Sequence, residues 1–433
     1  MTELRVVVTQ LAATAHLNLM VPLGWALKAA GHEVVIAGQP DIMPAVKQTG
    51  LTGVAVGEEA RYAERLAGLA PEETIYGSGY DITEIRPEAL TYEYVRDCLA
   101  AFASPLALDV NTDASVFDGL VSFCRSWRPD LVIWDSMTFT GPVAAAACGA
   151  AHARTTIGRD HWGRLRELFL RMRAERPEAA DEDPVRDWLT AKLEKYGCEY
   201  DDDLVLGQTT IDSIPSWLRI PARYDYLPVR YVPYNGPGTI PDWLLPEPER
   251  PRVCVTLGLS YQEVWERRAE LGFTDLLDAV DGLDVEVVAL LAPSSVPAGI
   301  TLPDNVRIPG FVPLDPVLKT CSAIVHHAGT GSTLTALHNG VPQIIVPHTL
   351  HDEAQVAEAV DAYGLGVHLP PGRASAHTLR TELQRILTDT TFAERAERAR
   401  QEMQEAPTPH DLVQDLEALV LRHRRSVGST AAS

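Results

Sequence analysis

LRVVVTQLAATAHLNLMVPLGWALKAAGHEVVIAG, running from Leu4 to Gly38, decides the architecture. LRVVV is a short apolar strand, and NLMVPLGWALKAAG carries apolar residues at helical spacing up to Gly31, a suitable residue just past a helix end. HEVVIAG is a second strand. Strand, helix and strand within about 35 residues make a βαβ unit, whose strands run parallel and whose crossover is right-handed. RPDLVIWDSMTFTGPVAAAACG repeats the pattern, with Asp130 to Trp134 as a buried strand and Gly141 to Cys148 as a small-residue helix. The first half is therefore predicted as a doubly wound parallel sheet. Residues 57–120 show few clear periods and are expected to hold helices and loops. Residues 161–200 read as helical, with their many charges on a solvated face.

From Pro215 to Pro251 the composition changes, with nine prolines in 37 residues. Proline cannot donate to a ladder and restricts its predecessor, so this stretch reads as an extended linker. Beyond it the rhythm restarts with RVCVTLG, VEVVALL, NVRIPGF, AIVHHAG and QIIVP, a second parallel sheet. In TPHDLVQDLEALVLRHRR, Thr408 as N-cap, Pro409 at N1 and Asp411 three residues on predict a capped terminal helix. The expected division is 1–222, a linker over 223–251, 252–408, and a helix with a tail over 409–433.

At 433 residues the chain exceeds what one hydrophobic core serves, which agrees with two domains. Its 46% apolar and 22% charged residues, with mean hydropathy near zero, are those of a globular protein. A net charge of −22 argues against nucleic acid as partner, since that affinity comes from Lys and Arg neutralising phosphates. Cys98, Cys124, Cys148, Cys198, Cys254 and Cys321 are scattered without a CxxC pair and read as free thiols in a reducing compartment. MTELRVVVTQ enters a strand directly, and no run approaches the roughly 18 apolar residues of a membrane span, so a cytoplasmic protein is expected.

HHAGTGSTLTALHNGVP, His326 to Pro342, carries the chemistry. Its strand is predicted to end near His327 and its helix to begin around Gly331 to Thr333. Free amides and the positive end of a helix dipole then gather at the C-terminal edge of a parallel sheet, where phosphates bind. No lysine completes a Walker loop, and only G-T-G of the dinucleotide fingerprint is present. A plain glycine-rich turn capped by Ser332 and Thr333 is the structural alternative. His326, His327, His348, His351 and Asp352 lie within 27 positions and suggest a metal. Adjacent strand residues face opposite ways, however, so His326 and His327 cannot share one ion, and no metal is expected.

The segments HLNLMVPLGWALKAAGHEV, VSFCRSWRPDLVIWDSMTFTGPVAAA, VRYVPYNGPGTIPDWLLPEPERPRVCVTLGLS, LPDNVRIPGFVPLDPVL and CSAIVHHAGTGS together resemble the GT-B glycosyltransferases. Within these they are most similar to the GT1-type bacterial deoxysugar transferases that decorate macrolide and anthracycline polyketides. The resemblance implies an α/β fold of two doubly wound, Rossmann-like parallel-sheet domains facing across a cleft, with the terminal helix packing back on the first. It implies an inverting transfer of a deoxysugar from a thymidine diphosphate (dTDP) donor to a hydroxyl or aromatic carbon of a polyketide aglycone, in antibiotic biosynthesis. No cofactor is implied. A cytochrome P450-like auxiliary protein, which some members of this branch require, and a homodimer are the implied partners.

By the same resemblance, His16 takes the place of the general base, and Asp135 is placed to orient it or to meet the acceptor. His327 matches the diphosphate-contacting histidine, and Gly329, Thr330, Gly331, Ser332 and Thr333 match the loop that caps the diphosphate. Ser260 matches a second phosphate contact, Phe311 and Val312 the base-binding position, and Asp352 with Glu353 the sugar-binding acids. Glu353 departs from the family's usual Gln or Thr, so the sugar does not carry over from any relative. Histidine suits the base because its ordinary pKa lies near neutrality. Tyr76, Tyr80, Tyr92 and Tyr94 are available to stack on a flat aglycone or to pack helices. A nucleotide-sugar epimerase of the same fold and a non-catalytic auxiliary subunit are the competing readings.

Overall fold

In a computed structural model of the chain, which describes residues 3–61, 64, 79–103, 113–256, 272–291, 296, 299–348 and 351–430, the βαβ rhythm occurs twice. The strands are β1 (Arg5–Thr9), β2 (Glu33–Gly38), β3 (Thr52–Ala55), β4 (Leu131–Asp135), β5 (Ala151–Thr155), β6 (Thr210–Asp212) and β7 (Tyr226–Pro228). After them come β8 (Arg252–Thr256), β9 (Glu286–Leu290), β10 (Val306–Arg307), β11 (Ala323–His326), β12 (Gln343–Ile345) and β13 (Gly366–His368). The helices in the first part are α1 (Thr14–Ala29), α2 (Met43–Gln48), α3 (Tyr92–Phe102), α4 (Ala114–Trp127), α5 (Thr140–Cys148), α6 (His161–Ala174), α7 (Pro184–Glu194) and α8 (Asp203–Leu206). Those that follow are α9 (Phe273–Val280), α10 (Leu314–Leu318), α11 (Thr330–Asn339), α12 (Glu353–Ala362), α13 (Ala376–Thr388), α14 (Thr390–Glu405) and α15 (Leu412–Thr430).

Both sheets are parallel throughout, ordered β3-β2-β1-β4-β5-β6-β7 and β10-β9-β8-β11-β12-β13. In each, the order reverses in the middle, between β1 and β4 and between β8 and β11. That reversal leaves a crevice beyond the carboxyl ends of the strands, where open α/β sheets bind ligands. Val6, Val7 and Val8 of β1 are buried on both faces, each contributing about 1.5 kcal/mol or more. Gly31, at φ +94°, ends α1, and the amides of Gly31 and His32 bond back to Lys28 and Leu27. That is the reciprocal C-terminal cap the sequence suggests. Gly141 lies so close to β4 that a Cβ there would stand 2.4 Å from the Trp134 side chain, so α5 packs directly behind the residue that precedes Asp135.

The chain divides into two compact units, residues 1–229 with 407–433, and residues 230–406. The proline-rich stretch read as a linker is built into both. β7 extends the first sheet, while buried Tyr231 and Leu244 belong to the second unit, Tyr231 donating to or accepting from Thr335 at 3.0 Å. In the first unit the terminal helix α15 is held by Gln208 against His423 and Arg424 against Asp130. Thr408 and Asp411 exchange side-chain and backbone hydrogen bonds one turn before its regular start.

Charge in the 161–200 region is not all solvated. Arg166 of α6 is buried and forks onto both oxygens of Asp183 at 2.6 and 2.9 Å, with Tyr200 and Asp202 adding acceptors. Fork geometry with both partners buried turns a nominally surface residue into a core element. Among the described residues no helix is long and apolar enough to cross a membrane.

Candidate active site

His16 lies in the first turn of α1, not in the loop before it, because the helix already begins at Thr14. Its Nδ1 stands 3.0 Å from Oδ2 of Asp135, the last residue of β4. The two are 119 positions apart and meet through strand register, since β1 pairs with β4 and Thr9 aligns with Trp134. Asp135 is fully buried. Its Oδ2 also accepts the Leu11 amide at 2.7 Å, and Oδ1 accepts the Met137 amide at 2.7 Å. Burial alone would raise this carboxyl's pKa. The attraction and hydrogen bond of His16, with the Leu11 and Met137 amides, outweigh burial and hold it below the usual carboxylate range.

An ionised acceptor at Nδ1 requires the His16 proton there, which leaves the Nε2 lone pair free to take a proton. The His16 side chain keeps 15% of its exposure, enough to be reached. Gln10, at the carboxyl end of β1, has both amide atoms buried without a partner among the described residues. Thr138, in the turn after Asp135, and Thr140, which opens α5, have hydroxyls in the same condition. Sequence reading did not single out these groups, and nothing in their spacing marks them.

In the second unit β11 stops at His326 and α11 begins at Thr330, one to three residues earlier than expected. Gly329 is the N-cap and, among the described residues, no side chain caps the helix, so Ser332 and Thr333, inside its first turn, do not serve as caps. The Thr333 hydroxyl is buried without a partner among the described residues. The amides of Thr330, Gly331 and Ser332 precede the first intrahelical bond, that of Thr333 to the Gly329 carbonyl, and gather at the positive end of the helix just beyond β11. The His327 ring lies over Gly329, where a Cβ would come 3.1 Å from Nε2.

His327 also meets His348 at 4.6 Å between ring centroids. Burial, with the neighbouring His348 and His326, lowers the His327 pKa to about 3, so the ring is neutral near pH 7. His326 faces elsewhere. Its Nε2 is 2.8 Å from Gln343 Oε1 on β12, and its Nδ1 accepts the Ala328 amide at 3.2 Å.

Phe311 is 58% exposed, available for stacking, whereas the Val312 side chain is in the core. Asp352 precedes α12, and Glu353 opens it with Oε2 accepting the His351 amide at 2.7 Å. Burial raises the Glu353 pKa. Ser260 and Tyr76 lie outside the described residues. Of the other tyrosines, Tyr92 is buried and stacked on Phe169 at 5.8 Å, a packing role, and Tyr80 pairs with Tyr94 at 5.7 Å.

Comparison with known proteins bears on these arrangements. Residues 25–258 match the N-terminal and 274–419 the C-terminal domain of the family described as erythromycin biosynthesis protein CIII-like. The chain is 44% identical to aclacinomycin-T 2-deoxy-L-fucose transferase of Streptomyces galilaeus over 98% of both chains. It is 42% identical to tylactone mycaminosyltransferase of Streptomyces fradiae, over 99% of this chain and 95% of that one. The solved structure of glycosyltransferase VinC in complex with dTDP superposes with a TM-score of 0.87 at 39% identity, covering 96% of this chain and 100% of that one.

Proposed function

Since the chain belongs to the erythromycin biosynthesis protein CIII-like family and is a GT-B glycosyltransferase, we propose that it transfers a deoxysugar from a dTDP donor to a polyketide aglycone, with inversion and without a metal. The observation that carries this reading is the contact of His16 with buried Asp135 at the reversal point of the first sheet. His16 Nε2 takes the proton of the acceptor hydroxyl as its oxygen bonds to the anomeric carbon. The bond from that carbon to the diphosphate oxygen breaks on the opposite face, and dTDP leaves with the electron pair. The ionised Asp135 stabilises the imidazolium that forms.

The donor is held by the second unit. The amides of Gly329, Thr330, Gly331 and Ser332 at the start of α11 face charge that grows on the leaving diphosphate, the condition under which fixed donors contribute most; the Thr333 amide is already bonded to the Gly329 carbonyl, so Thr333 contributes its hydroxyl. His327 adds a neutral N–H donor, because its burial opposes a cation before the diphosphate arrives. Phe311 stacks on the base and Val312 pairs with it through its backbone; Ser260 supplies a further phosphate contact. Asp352 accepts from sugar hydroxyls more readily than Glu353, whose carboxylate already takes a backbone amide and is raised by burial.

The test is incubation with dTDP-deoxysugars and anthracycline or macrolide aglycones, with and without a P450-like auxiliary protein, read by mass spectrometry and by the anomeric configuration of the product. A glycoside of inverted configuration, lost in His16→Ala, is expected. Retained configuration, or an altered sugar formed from donor alone, would sink this reading in favour of another mechanism or an epimerase.

A further inference from the structure

We propose that His326 is a positioning residue that holds the donor loop in shape by tethering the Ala328 amide to the neighbouring strand. Ala328 has φ +75°, in the left-handed region that costs a residue bearing a Cβ, and it is the last residue but one before α11. Its N–H points at His326 Nδ1, 3.2 Å away. A donor aimed at Nδ1 requires a lone pair there, so the ring proton sits on Nε2 and is donated to Gln343 Oε1 at 2.8 Å. The same logic fixes the Gln343 amide. If its NH2 faced the ring, the proton would move to Nδ1 and collide with the Ala328 N–H.

Two hydrogen bonds thus lock one tautomer, one amide orientation and one strained backbone turn into a single device. His326 and Gln343 are both buried, where such bonds are not exchanged for water. Because the turn at Ala328 sets the direction of the Gly329 and Thr330 amides, His326 acts on the donor through the loop and touches no substrate itself. The assignment of that loop to the donor diphosphate rests on the function proposed above; the tether does not.

The experiment compares wild type with His326→Leu, Ala328→Gly and the double variant, and with His326→Asn. Amide hydrogen exchange over residues 326–334 is measured without nucleotide, followed by dTDP affinity and the KM and kcat for donor. His326→Leu is expected to speed exchange in this segment, to weaken dTDP about 10- to 100-fold and to raise donor KM with little change in kcat. Glycine adopts φ +75° without a tether, so the double variant should recover at least ten-fold in affinity. Asparagine can still accept the amide two residues on, so His326→Asn should stay within about three-fold of wild type.

Unchanged exchange in His326→Leu overturns the tether. So does a double variant no better than the single, or, should the leucine variant fail to fold, an asparagine variant whose exchange is as fast as in an untethered loop. If wild type shows no dTDP affinity, the proposed function falls, while the exchange comparison still decides the tether.

Discussion

Replacing Asp135 by asparagine separates the charge of the buried carboxyl from its shape. Each carboxylate oxygen accepts a backbone amide, Leu11 on Oδ2 and Met137 on Oδ1, and Oδ2 also receives His16. Asparagine has one oxygen, which is expected to stay where two donors converge, at Leu11 and His16. Its NH2 then faces the Met137 N–H, and that unsatisfied pair costs about 1–3 kcal/mol of stability. The His16 tautomer survives while the charge is lost. At 3.0 Å and an effective dielectric of about 20, a carboxylate attracts an imidazolium by roughly 5.5 kcal/mol. Allowing about 1.5 kcal/mol for the neutral hydrogen bond that asparagine retains leaves about 4 kcal/mol, near a thousand-fold in kcat.

The assay is steady-state transfer at pH 7 with His16→Ala and the double variant alongside. Groups that act as one unit are not additive, so the double variant should be no slower than His16→Ala alone. Asp135→Asn within ten-fold of wild type, or a double variant slower by the product of the two single effects, would refute the coupling. The carboxyl's lowered pKa adds a sign. Its stabilising contribution is present above the ordinary carboxylate pKa and is lost as pH falls through the folded value, so the stability gap to Asp135→Asn should narrow only in acid.

Three further outcomes follow from groups already described. His326 and His327, lowered to about 4 and about 3, are neutral when folded but take up protons when unfolded below the ordinary value near 6.5. Their contribution is complete above that value and is lost as pH falls toward 4, by up to about 3 kcal/mol per pH unit for the pair; urea titrations of equal midpoint at pH 7 and pH 5 would contradict this. Phe311→Ala should weaken dTDP by about 1–3 kcal/mol, the worth of a base on an aromatic ring, while the melting temperature stays put because the ring is 58% exposed; calorimetry and a thermal melt read both. Asp183→Ala leaves the Arg166 charge buried and short of its fork partner, at about 3–5 kcal/mol, and an unshifted melting curve would contradict the buried-pair reading.

Apolar periodicity made the two-sheet architecture legible, since β1, β2, β4, β8, β9, β11 and β12 are runs of Val, Ile and Leu. The strands that escaped notice break the pattern for local reasons. β5 carries His152 and Arg154, which read as polar until Asp160 and Thr210 are seen to receive the Arg154 guanidinium in the interior. β7 ends on a proline in a stretch whose composition suggests a tether, and β13 is three residues long. Family resemblance left Asp135 either to orient His16 or to meet the acceptor, and only the β1–β4 register shows that the two residues touch. His326 illustrates the opposite limit: alternation along the strand excluded it from sharing a ligand with His327, but its partner Gln343 lies 17 positions away on another strand.

The division of the chain has a consequence for its synthesis. Residues 230–406 form one unbroken segment, whereas the first unit needs both 1–229 and 407–433. The first unit therefore cannot be completed until the whole of the second has been synthesised, the opposite of the usual N-terminal-first order of domain completion. The second unit emerges entire while the unit bearing His16 still waits for α15, which supplies the buried Leu412, Leu416 and Val420. A polypeptide that stops before residue 407 carries the strands of both sheets but lacks the helix that completes the first unit. Residues 407–433 thus govern when the unit carrying His16 is whole.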